Sequence, residues 1–297
     1  GIRAGQDLLR FLEVGDRSAL ERATATYDSI IPQEPVGLEY PALLWVCRLL
    51  LADEAQRAIM LENPHHARFH RFVQGADGGL DGLIAYLRAK YGDLEMDDAG
   101  KRIFRFADEV IRYNGPGRWE WEGTEQILEV LDLQPGQAVV DLGAGAGFYT
   151  FHIAEQVGPE GQVTAIEINK VHVKYINGMV AEEGIGNVRA RMAAPDDIGL
   201  EPDSVDTIFL CVVYQAVYGE ASPEEQERLL GSIRSALRSG GRLVVVENTT
   251  QVVEGQPHRG TAMHQTLVAS HLEAHGFELL SEHQFTPSRV TLVFEER

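Results

Sequence analysis

The chain has 297 residues, of which 44% are hydrophobic and 24% charged, a balance typical of a globular protein with one large domain or two ordinary ones. It carries 26 basic and 45 acidic residues, which gives a formal net charge of −19. This charge argues against nucleic acid and against an anionic membrane as partners, because both are bound through basic protein surfaces.

Residues 1–115 are predicted to form an all-helical domain. Breaks rich in proline and glycine separate stretches in which apolar residues recur at helical spacing, and no strand-like alternation appears among them. The apolar stripes are Leu8, Leu9, Phe11 and Leu12; Leu43, Leu44, Cys47, Leu50 and Leu51; Ile84, Leu87 and Tyr91; and Ile103, Phe106, Val110 and Ile111.

His66 and His70 lie four residues apart on one of these helices and therefore share a face that could bind a metal ion. No neighbouring cysteine or carboxylate completes a ligand set, and the basic residues Arg68 and Arg71 accompany them. A solvated or partner-facing surface is the better interpretation, so we predict no metal site here.

Residues 116–297 follow a different pattern, in which short apolar strands alternate with helices as in a parallel sheet. The strands are predicted at 138–141, 163–168, 188–192, 207–213 and 242–247, and the helices between them at 149–157, 171–183 and 223–237. A helix at 263–275 then precedes strands at 277–283 and 290–294, joined by a turn at Thr286-Pro287-Ser288. Two strands with so short a connection predict an antiparallel hairpin at the edge of the sheet.

A glycine-rich turn, Asp141-Leu142-Gly143-Ala144-Gly145-Ala146-Gly147, joins the first of these strands to the first helix. Glycine lets the main chain approach a ligand closely, and the start of the helix offers free N–H groups. A dinucleotide would need the spacing G-x-G-x-x-G, whereas the glycines here are two residues apart behind an acid. An acid in that position suits a cationic or amine-bearing ligand better than a pyrophosphate, which argues against an NAD-dependent oxidoreductase.

This D-x-G-x-G-x-G pattern resembles the first motif of the class I S-adenosyl-L-methionine (SAM)-dependent methyltransferases, and the resemblance covers residues 118–297. It implies an α/β fold: a Rossmann-like, seven-stranded, mostly parallel sheet with a C-terminal antiparallel hairpin, preceded here by the all-helical domain. It also implies SAM as the cofactor. The candidate cofactor-binding residues in and after the glycine-rich turn are Asp141, Gly143, Ala144, Gly145, Gly147 and Tyr149.

Further candidates follow the next three strands. Glu167 matches the family's ribose-binding acid, since a carboxylate can accept hydrogen bonds from both ribose hydroxyls, and Ile168 follows it. Asp196 and Asp197 are candidates for the adenine amine, although Ala193-Ala194 replaces the Gly-Asp pair that is commoner in this region of the family. Cys211 lies at the end of the fourth strand, also close to the implied cofactor.

The family places the methyl acceptor above the carboxyl end of the fourth strand. Tyr214 could orient an acceptor there, or it could cover the adenosine. His258, in a loop after the fifth strand that is rich in glycine and proline, is a candidate base or ligand, and the alternative is an exposed loop histidine. The Asn-Pro-Pro-Tyr-like sequence of relatives that methylate nitrogen is absent, because this chain has Cys211-Val212-Val213-Tyr214.

We therefore expect a methyltransferase that transfers the methyl group of SAM to a small molecule. In this family an added helical domain commonly forms a lid, selects the substrate or makes a homodimer surface. A protein methyltransferase is an alternative, because an acidic cleft would suit a basic peptide, and a non-catalytic SAM-binding module is another. The acceptor atom stays open, since fold does not settle chemistry.

Cys47 and Cys211 are too distant in sequence to predict a disulfide framework or a metal motif. No apolar run approaches the roughly 20 residues that cross a bilayer, and no signal peptide is visible. The cytoplasm is therefore the default expectation, although the chain begins with Gly1 and not with Met.

Overall fold

The computed structural model describes residues 1–31, 38–74, 80–92, 96–249 and 262–297. These residues divide into two compact units, Gly1–Trp119 and Glu120–Arg297. Among the residues that the structure describes, no helix is both long enough and apolar enough to cross a membrane.

The described residues of the first unit are helical, as the apolar spacing predicts. Several of the helices begin at a capping aspartate; for example, Asp53 and Gln56 form a reciprocal capping box. The helices are α1 Ile2–Val14, α2 Arg17–Ile30, α3 Tyr40–Leu51, α4 Glu54–Met60, α5 Pro64–Gln74, α6 Asp81–Tyr91 and α7 Asp98–Tyr113. Their core contains members of each predicted stripe, including Leu8, Leu43, Leu87 and Ile111, whereas Ile103 of the fourth stripe is exposed.

The second unit contains a seven-stranded sheet in the order β3-β2-β1-β4-β5-β7-β6. The strands are β1 Ala138–Leu142, β2 Gln162–Glu167, β3 Val188–Met192, β4 Val205–Cys211, β5 Leu237–Asn248, β6 Phe277–Thr286 and β7 Arg289–Glu296. The pairs among the first five strands are parallel, and β7 is antiparallel to both β5 and β6. The prediction of a Rossmann-like sheet with a terminal antiparallel hairpin is confirmed, and β7 lies between β5 and the edge strand β6.

Helices cover both faces of this sheet, as parallel strands require. The remaining described helices of the chain are α8 Arg118–Glu122, α9 Thr124–Leu131, α10 Phe148–Val157, α11 Lys170–Glu183, α12 Tyr214–Glu220, α13 Pro223–Ala236 and α14 Gln265–Ala274. Because side chains alternate along a strand, Val139, Phe209 and Val244 pack with α9, α10 and α11, whereas Val140, Ile208 and Leu243 pack with α13 and α14. The two cores leave the carboxyl ends of the parallel strands as the edge at which a ligand can bind.

Two predicted strand boundaries were wrong, the first of them at this edge. The fourth strand was expected at 207–213 but ends at Cys211, because Val212 takes a left-handed conformation with φ of 57° and turns the chain into α12. The fifth strand begins at Leu237, a residue predicted to be helical, whose extended backbone ends α13. The short helix α12, Tyr214–Glu220, was not predicted.

Candidate active site

The glycine-rich turn follows β1 at the carboxyl edge. Gly143, Gly145 and Gly147 have φ of 75°, 54° and 86°, so all three occupy the left-handed region that favours glycine. The N–H groups of Gly143 and Ala144 donate to the carbonyl oxygen of Ile166 on β2, at 2.8 and 3.2 Å. The turn is therefore fixed to β2 before α10 begins at Phe148.

The three glycines differ in their surroundings. A Cβ atom added at Gly143 would lie 2.4 Å from Val213, and one at Gly147 would lie 3.0 Å from Phe151. A Cβ atom at Gly145 would meet nothing within 4 Å. Gly143 and Gly147 therefore serve packing as well as backbone conformation, whereas Gly145 is the position at which a ligand can approach the main chain.

The acid before the turn is buried. Asp141 is only 3% exposed, and its Oδ2 accepts a hydrogen bond of 2.6 Å from the hydroxyl of Thr150 in the first turn of α10. This contact joins the end of β1 to the helix that follows the turn. Asp141 thus supports the shape of the turn.

Glu167, at the end of β2, connects two parts of the site. Its Oε2 accepts from the N–H of Gly145 at 3.0 Å, and its Oε1 accepts from the N–H groups of Ile168 and Asn169 at 2.8 and 2.9 Å. Burial raises the pKa of Glu167, but His172, 3.6 Å away, and these N–H groups together hold the pKa below its ordinary value. The carboxylate is therefore ionised at neutral pH and already oriented.

Apolar side chains surround the ends of β2 and β3. Ile168 is 64% exposed, and Met192, which pairs with Glu167 in register, is 53% exposed. Val171, early in α11, is exposed as well. Large apolar side chains exposed at the carboxyl edge can cover a flat aromatic ligand.

The two adenine candidates make contacts of their own. The Asp196 carboxylate accepts a hydrogen bond of 2.7 Å from Nε of Arg228 on α13, and this contact lowers the pKa of Asp196. Asp197 accepts from the N–H of Gly199 at 2.7 Å. Both therefore stabilise the segment after β3 in this structure, and their role toward adenine stays a prediction.

On the other side of the edge, a buried carboxylate collects donors from distant parts of the unit. Glu122 is fully buried, and its Oε2 accepts from the hydroxyl of Tyr149 at 2.9 Å. Its Oε1 accepts from Nε of Arg289 at 2.9 Å and from Sγ of Cys211 at 3.8 Å. Nη1 of Arg289 also donates to the side chain of Asn248 at the end of β5. Two of the predicted cofactor-site residues, Tyr149 and Cys211, thus meet at one acid.

A second buried carboxylate lies at the end of β5. Glu247 is fully buried, and its Oε1 accepts from the N–H of Gln215 in α12 at 3.1 Å, while its Oε2 accepts from the N–H of Asn248 at 3.3 Å. Burial raises the pKa of Glu247 to about 7 against the opposing effect of these N–H groups and of Arg289. Glu247 therefore holds the turn in which Val212 adopts its strained conformation.

The second unit matches a known protein family. The family model described as a methyltransferase domain matches residues 133–291, more than half of the chain. The chain belongs to the class I SAM-dependent methyltransferase family.

Individual relatives match over shorter stretches. An arsenite methyltransferase of Halobacterium salinarum is 32% identical over 114 residues, which are 38% of this chain and 27% of that protein. A ubiquinone/menaquinone biosynthesis C-methyltransferase, UbiE, of Teredinibacter turnerae is 28% identical over 121 residues, 40% of this chain and 46% of that protein. The chain therefore spans less than half the length of these curated relatives.

A SAM-dependent methyltransferase from Aquifex aeolicus has the same fold. Its structure aligns with a TM-score of 0.54 and 22% identity, covering 60% of this chain and 92% of that one.

Of the two catalytic candidates, Tyr214 and His258, Tyr214 lies among the described residues. Tyr214 is 1% exposed, and its hydroxyl lies 2.6 Å from Nδ1 of His271 on α14. Burial raises the pKa of Tyr214 above its ordinary value, so the phenol stays neutral. His258 lies outside the described residues. The role of either in catalysis stays a prediction.

Three further residues of this edge, Glu122, Glu247 and Arg289, were not predicted from the sequence. Glu247 ends an apolar strand just as Asp141 and Glu167 do, so the same signal could have found it. Glu122 sits in a short helix of five residues, and its partner Arg289 is 167 positions away. No local pattern marks such a pair.

Proposed function

We propose that this methyltransferase transfers the methyl group of SAM to a small-molecule acceptor. The family assignment supports the reaction class, and the relatives named above act, by their names, on arsenite or in quinone biosynthesis. Because the chain spans less than half of those proteins, its own acceptor has to be inferred from its own residues.

The observation that carries the proposal is the contact between Glu167 and Gly145. The acid at the end of β2 is ionised, and its Oε2 accepts from the glycine whose surroundings are open. A carboxylate has acceptor capacity for about four hydrogen bonds, so three N–H donors leave room for a hydroxyl. One ribose hydroxyl therefore suits this position.

The residues in and beside the glycine-rich turn also fit the amine and adenine groups of SAM. The turn from Asp141 to Gly147 contains an acid and no basic residue, which favours an amine-bearing, cationic ligand over a phosphate. Ile168 and Met192 offer apolar cover for an adenine ring. When bound, SAM supplies a methyl group that its sulfonium has already activated. The protein then has to orient the acceptor and exclude water.

An acceptor of carbon, nitrogen or oxygen type is favoured over a soft metalloid. Soft centres are bound by several thiolates. The unit Glu120–Arg297 has Cys211 as its one cysteine in the sequence, and the Sγ of that residue donates to Glu122. We therefore infer a different acceptor from that of the arsenite enzyme.

Calorimetric titration with SAM tests the first half of the proposal. Wild type should bind saturably, and Glu167→Gln should weaken binding by about thirtyfold, because a charge-assisted hydrogen bond to ribose is lost. Glu160→Gln is the matched control, since Glu160 is exposed and lies before β2, away from the carboxyl edge. Equal SAM affinity in all three proteins would refute the site.

Labelled methyl groups test the second half. Incubation with SAM carrying a labelled methyl group should transfer label to small molecules of a metabolite extract. Label found in protein bands instead would support the protein methyltransferase. SAM binding without transfer to any acceptor would support the non-catalytic module.

A further inference from the structure

The buried pair of Glu122 and Arg289 is not among the cofactor-binding residues that the family resemblance implies. Glu122 is 0% and Arg289 3% exposed, and Nε of the arginine donates to the acid at 2.9 Å. Removing two charges from water is costly, and apolar residues of the same size commonly stabilise a fold equally well. A fully buried pair at the ligand-binding edge of a sheet therefore calls for a functional explanation.

The strand register places this pair beyond the cofactor turn. Leu142 pairs with Ile166 on β2 and with Leu210 on β4, so Glu167 and Cys211 flank Gly143 on either side. The side chain of Cys211 packs on the same face of the sheet as those of Val139 and Phe209.

The same face continues across β5 and β7. Cys211 pairs with Val246, and Asn248, two residues further along β5, pairs with Arg289. Side chains two apart share a face, and neighbouring strands lie about 4.8 Å apart. In the strand order β2-β1-β4-β5-β7, Arg289 thus lies on the far side of β4 from the ribose acid Glu167. An acceptor that meets the methyl group over β4 would extend toward Arg289.

The guanidinium of Arg289 has donors to spare. Nε donates to Glu122, and Nη1 donates to Asn248 and to the carbonyl oxygen of Ser288. Trp121 supports the guanidinium, with Cζ of Arg289 5.3 Å from its ring centre. Among the described residues none accepts a hydrogen bond from Nη2. Arginine offers five N–H donors in a rigid plane, so fixing Nε and Nη1 also fixes the direction of the remaining two.

We propose that Arg289 binds the methyl acceptor, donating from Nη2 to an acceptor oxygen such as that of a phenol, a carbonyl or a carboxylate. This inference rests on the proposed function. A guanidinium has no hydrogen-bond acceptor and always carries its proton, so it cannot bind a protonated amine in the same place. Because Glu122 balances its charge, Arg289 selects by hydrogen bonding more than by attraction of any anion. Glu122 in turn connects the acceptor group with Tyr149 and Cys211 beside the cofactor turn.

Binding of simple probes to the protein saturated with S-adenosylhomocysteine tests the proposal. Catechol and benzoate carry the oxygen atoms, and aniline is the oxygen-free match. Catechol or benzoate should bind at millimolar concentration, and Arg289→Lys, which removes the planar donors, should weaken that binding by about tenfold or more. Affinity for S-adenosylhomocysteine and for aniline should not change.

Arg242→Lys is the matched control. Arg242 is a partly buried arginine on β5, toward the opposite end of the strand, where it donates to the carbonyl oxygens of Leu131 and Asp132. This variant should bind catechol and benzoate like wild type.

A second variant covers the case in which Arg289→Lys does not fold. The double variant E122Q/R289Q removes both charges together and so leaves no unpaired buried charge. It should fold, keep its affinity for S-adenosylhomocysteine and lose its affinity for catechol and benzoate. Equal probe affinity in wild type and these variants would overturn the proposal, as would wild-type binding of aniline alone or of no probe. Failure of wild type to bind S-adenosylhomocysteine would instead count against the proposed function.

Discussion

On the β1–β2 side of the carboxyl edge, Glu167 is held by main-chain N–H groups of Gly145, Ile168 and Asn169, whereas on the β4–β5–β7 side Glu122 is held by side chains. The side-chain donors to Glu122 are Tyr149, Cys211 and Arg289, which lie 27, 89 and 167 positions away from it in the sequence. Any sequence that keeps the same backbone conformation at the glycine-rich turn and the end of β2 offers these main-chain donors. Side-chain donors require particular residues. We infer that Glu167, on the proposed cofactor side, relies on donors that the fold itself provides, whereas Glu122, on the proposed acceptor side, relies on residues particular to this chain.

The largest effect should come from breaking the side-chain network. Glu122→Ala leaves the guanidinium of Arg289 buried without its carboxylate, and removing one partner of a buried pair costs about 3–5 kcal/mol. Denaturant unfolding should show this loss in the free energy of unfolding. Glu120→Ala, at an exposed position of the same short helix, is the control and should stay within about 0.5 kcal/mol of wild type. A loss below 1 kcal/mol for Glu122→Ala would mean that the network does not hold this side together.

Glu247, which lies on the β4–β5–β7 side as well, should make the stability of the protein depend on pH. Its pKa rises from an ordinary 4.5 to about 7 in the folded protein, so the folded state favours its neutral form. The resulting stability is complete below about pH 4.5 and is lost as the pH rises through about 7. A rise of this size in the pKa of one group corresponds to about 3 kcal/mol in the free energy of unfolding.

Glu247→Gln should remove that dependence. Between pH 4.5 and 7, the wild-type free energy of unfolding should fall relative to the variant by up to about 3 kcal/mol, and the difference should stay constant at higher pH. Glu278→Gln, an exposed acid on β6, should leave the wild-type curve unchanged. Parallel curves for wild type and Glu247→Gln would show that Glu247 titrates normally.

The two sides also differ in how far the sequence could predict them. The turn from Asp141 to Gly147 and the acid Glu167 form contiguous motifs, and the alternation of strands and helices predicts the sheet. The pair of Glu122 and Arg289 forms only because β7 lies between β5 and β6 and brings residue 289 beside Asn248. That insertion depends on the whole chain, and no window of sequence encodes it.

The end of β4 was misjudged for a related reason. Val212 and Val213 continue an apolar run, so local propensity favours a strand. The structure turns there because the N–H of Gln215 donates to Glu247, 32 positions away, which holds the start of the seven-residue α12. Short helices gain little from local propensity and depend on such tertiary contacts.

On the β1–β2 side, Gly143 and Gly145 should respond differently to substitution by alanine. Both have positive φ, which costs a non-glycine residue about 1–2 kcal/mol. Gly143→Ala adds a contact of 2.4 Å with Val213 and should destabilise the protein by about 2 kcal/mol more than Gly145→Ala, as thermal unfolding can measure. Gly145→Ala should instead show its larger effect in calorimetric titration with SAM. Equal losses of stability would indicate that Val213 moves aside.

The smallest effect should come from Tyr214, and it decides whether the hydroxyl of that residue acts on the acceptor or is structural. Gln226 donates its amide N–H to the carbonyl oxygens of Tyr218 and Ala221, so its Oε1 must accept from Nε2 of His271. The burial of His271 lowers its pKa, which keeps the ring neutral and leaves Nδ1 to accept from the Tyr214 hydroxyl. This chain of hydrogen bonds joins α12 to α13 and α14.

Tyr214→Phe removes one hydrogen bond of that chain and should cost about 1 kcal/mol of stability. If the hydroxyl is structural, SAM affinity and methyl transfer at a temperature well below unfolding should stay near wild type. A fall in kcat of tenfold or more, with stability and SAM affinity unchanged, would show instead that the hydroxyl acts on the acceptor. Because Tyr214 is the first residue of α12 and Glu247 holds the next, that result would extend the chain-specific acceptor side from Arg289 across to β4.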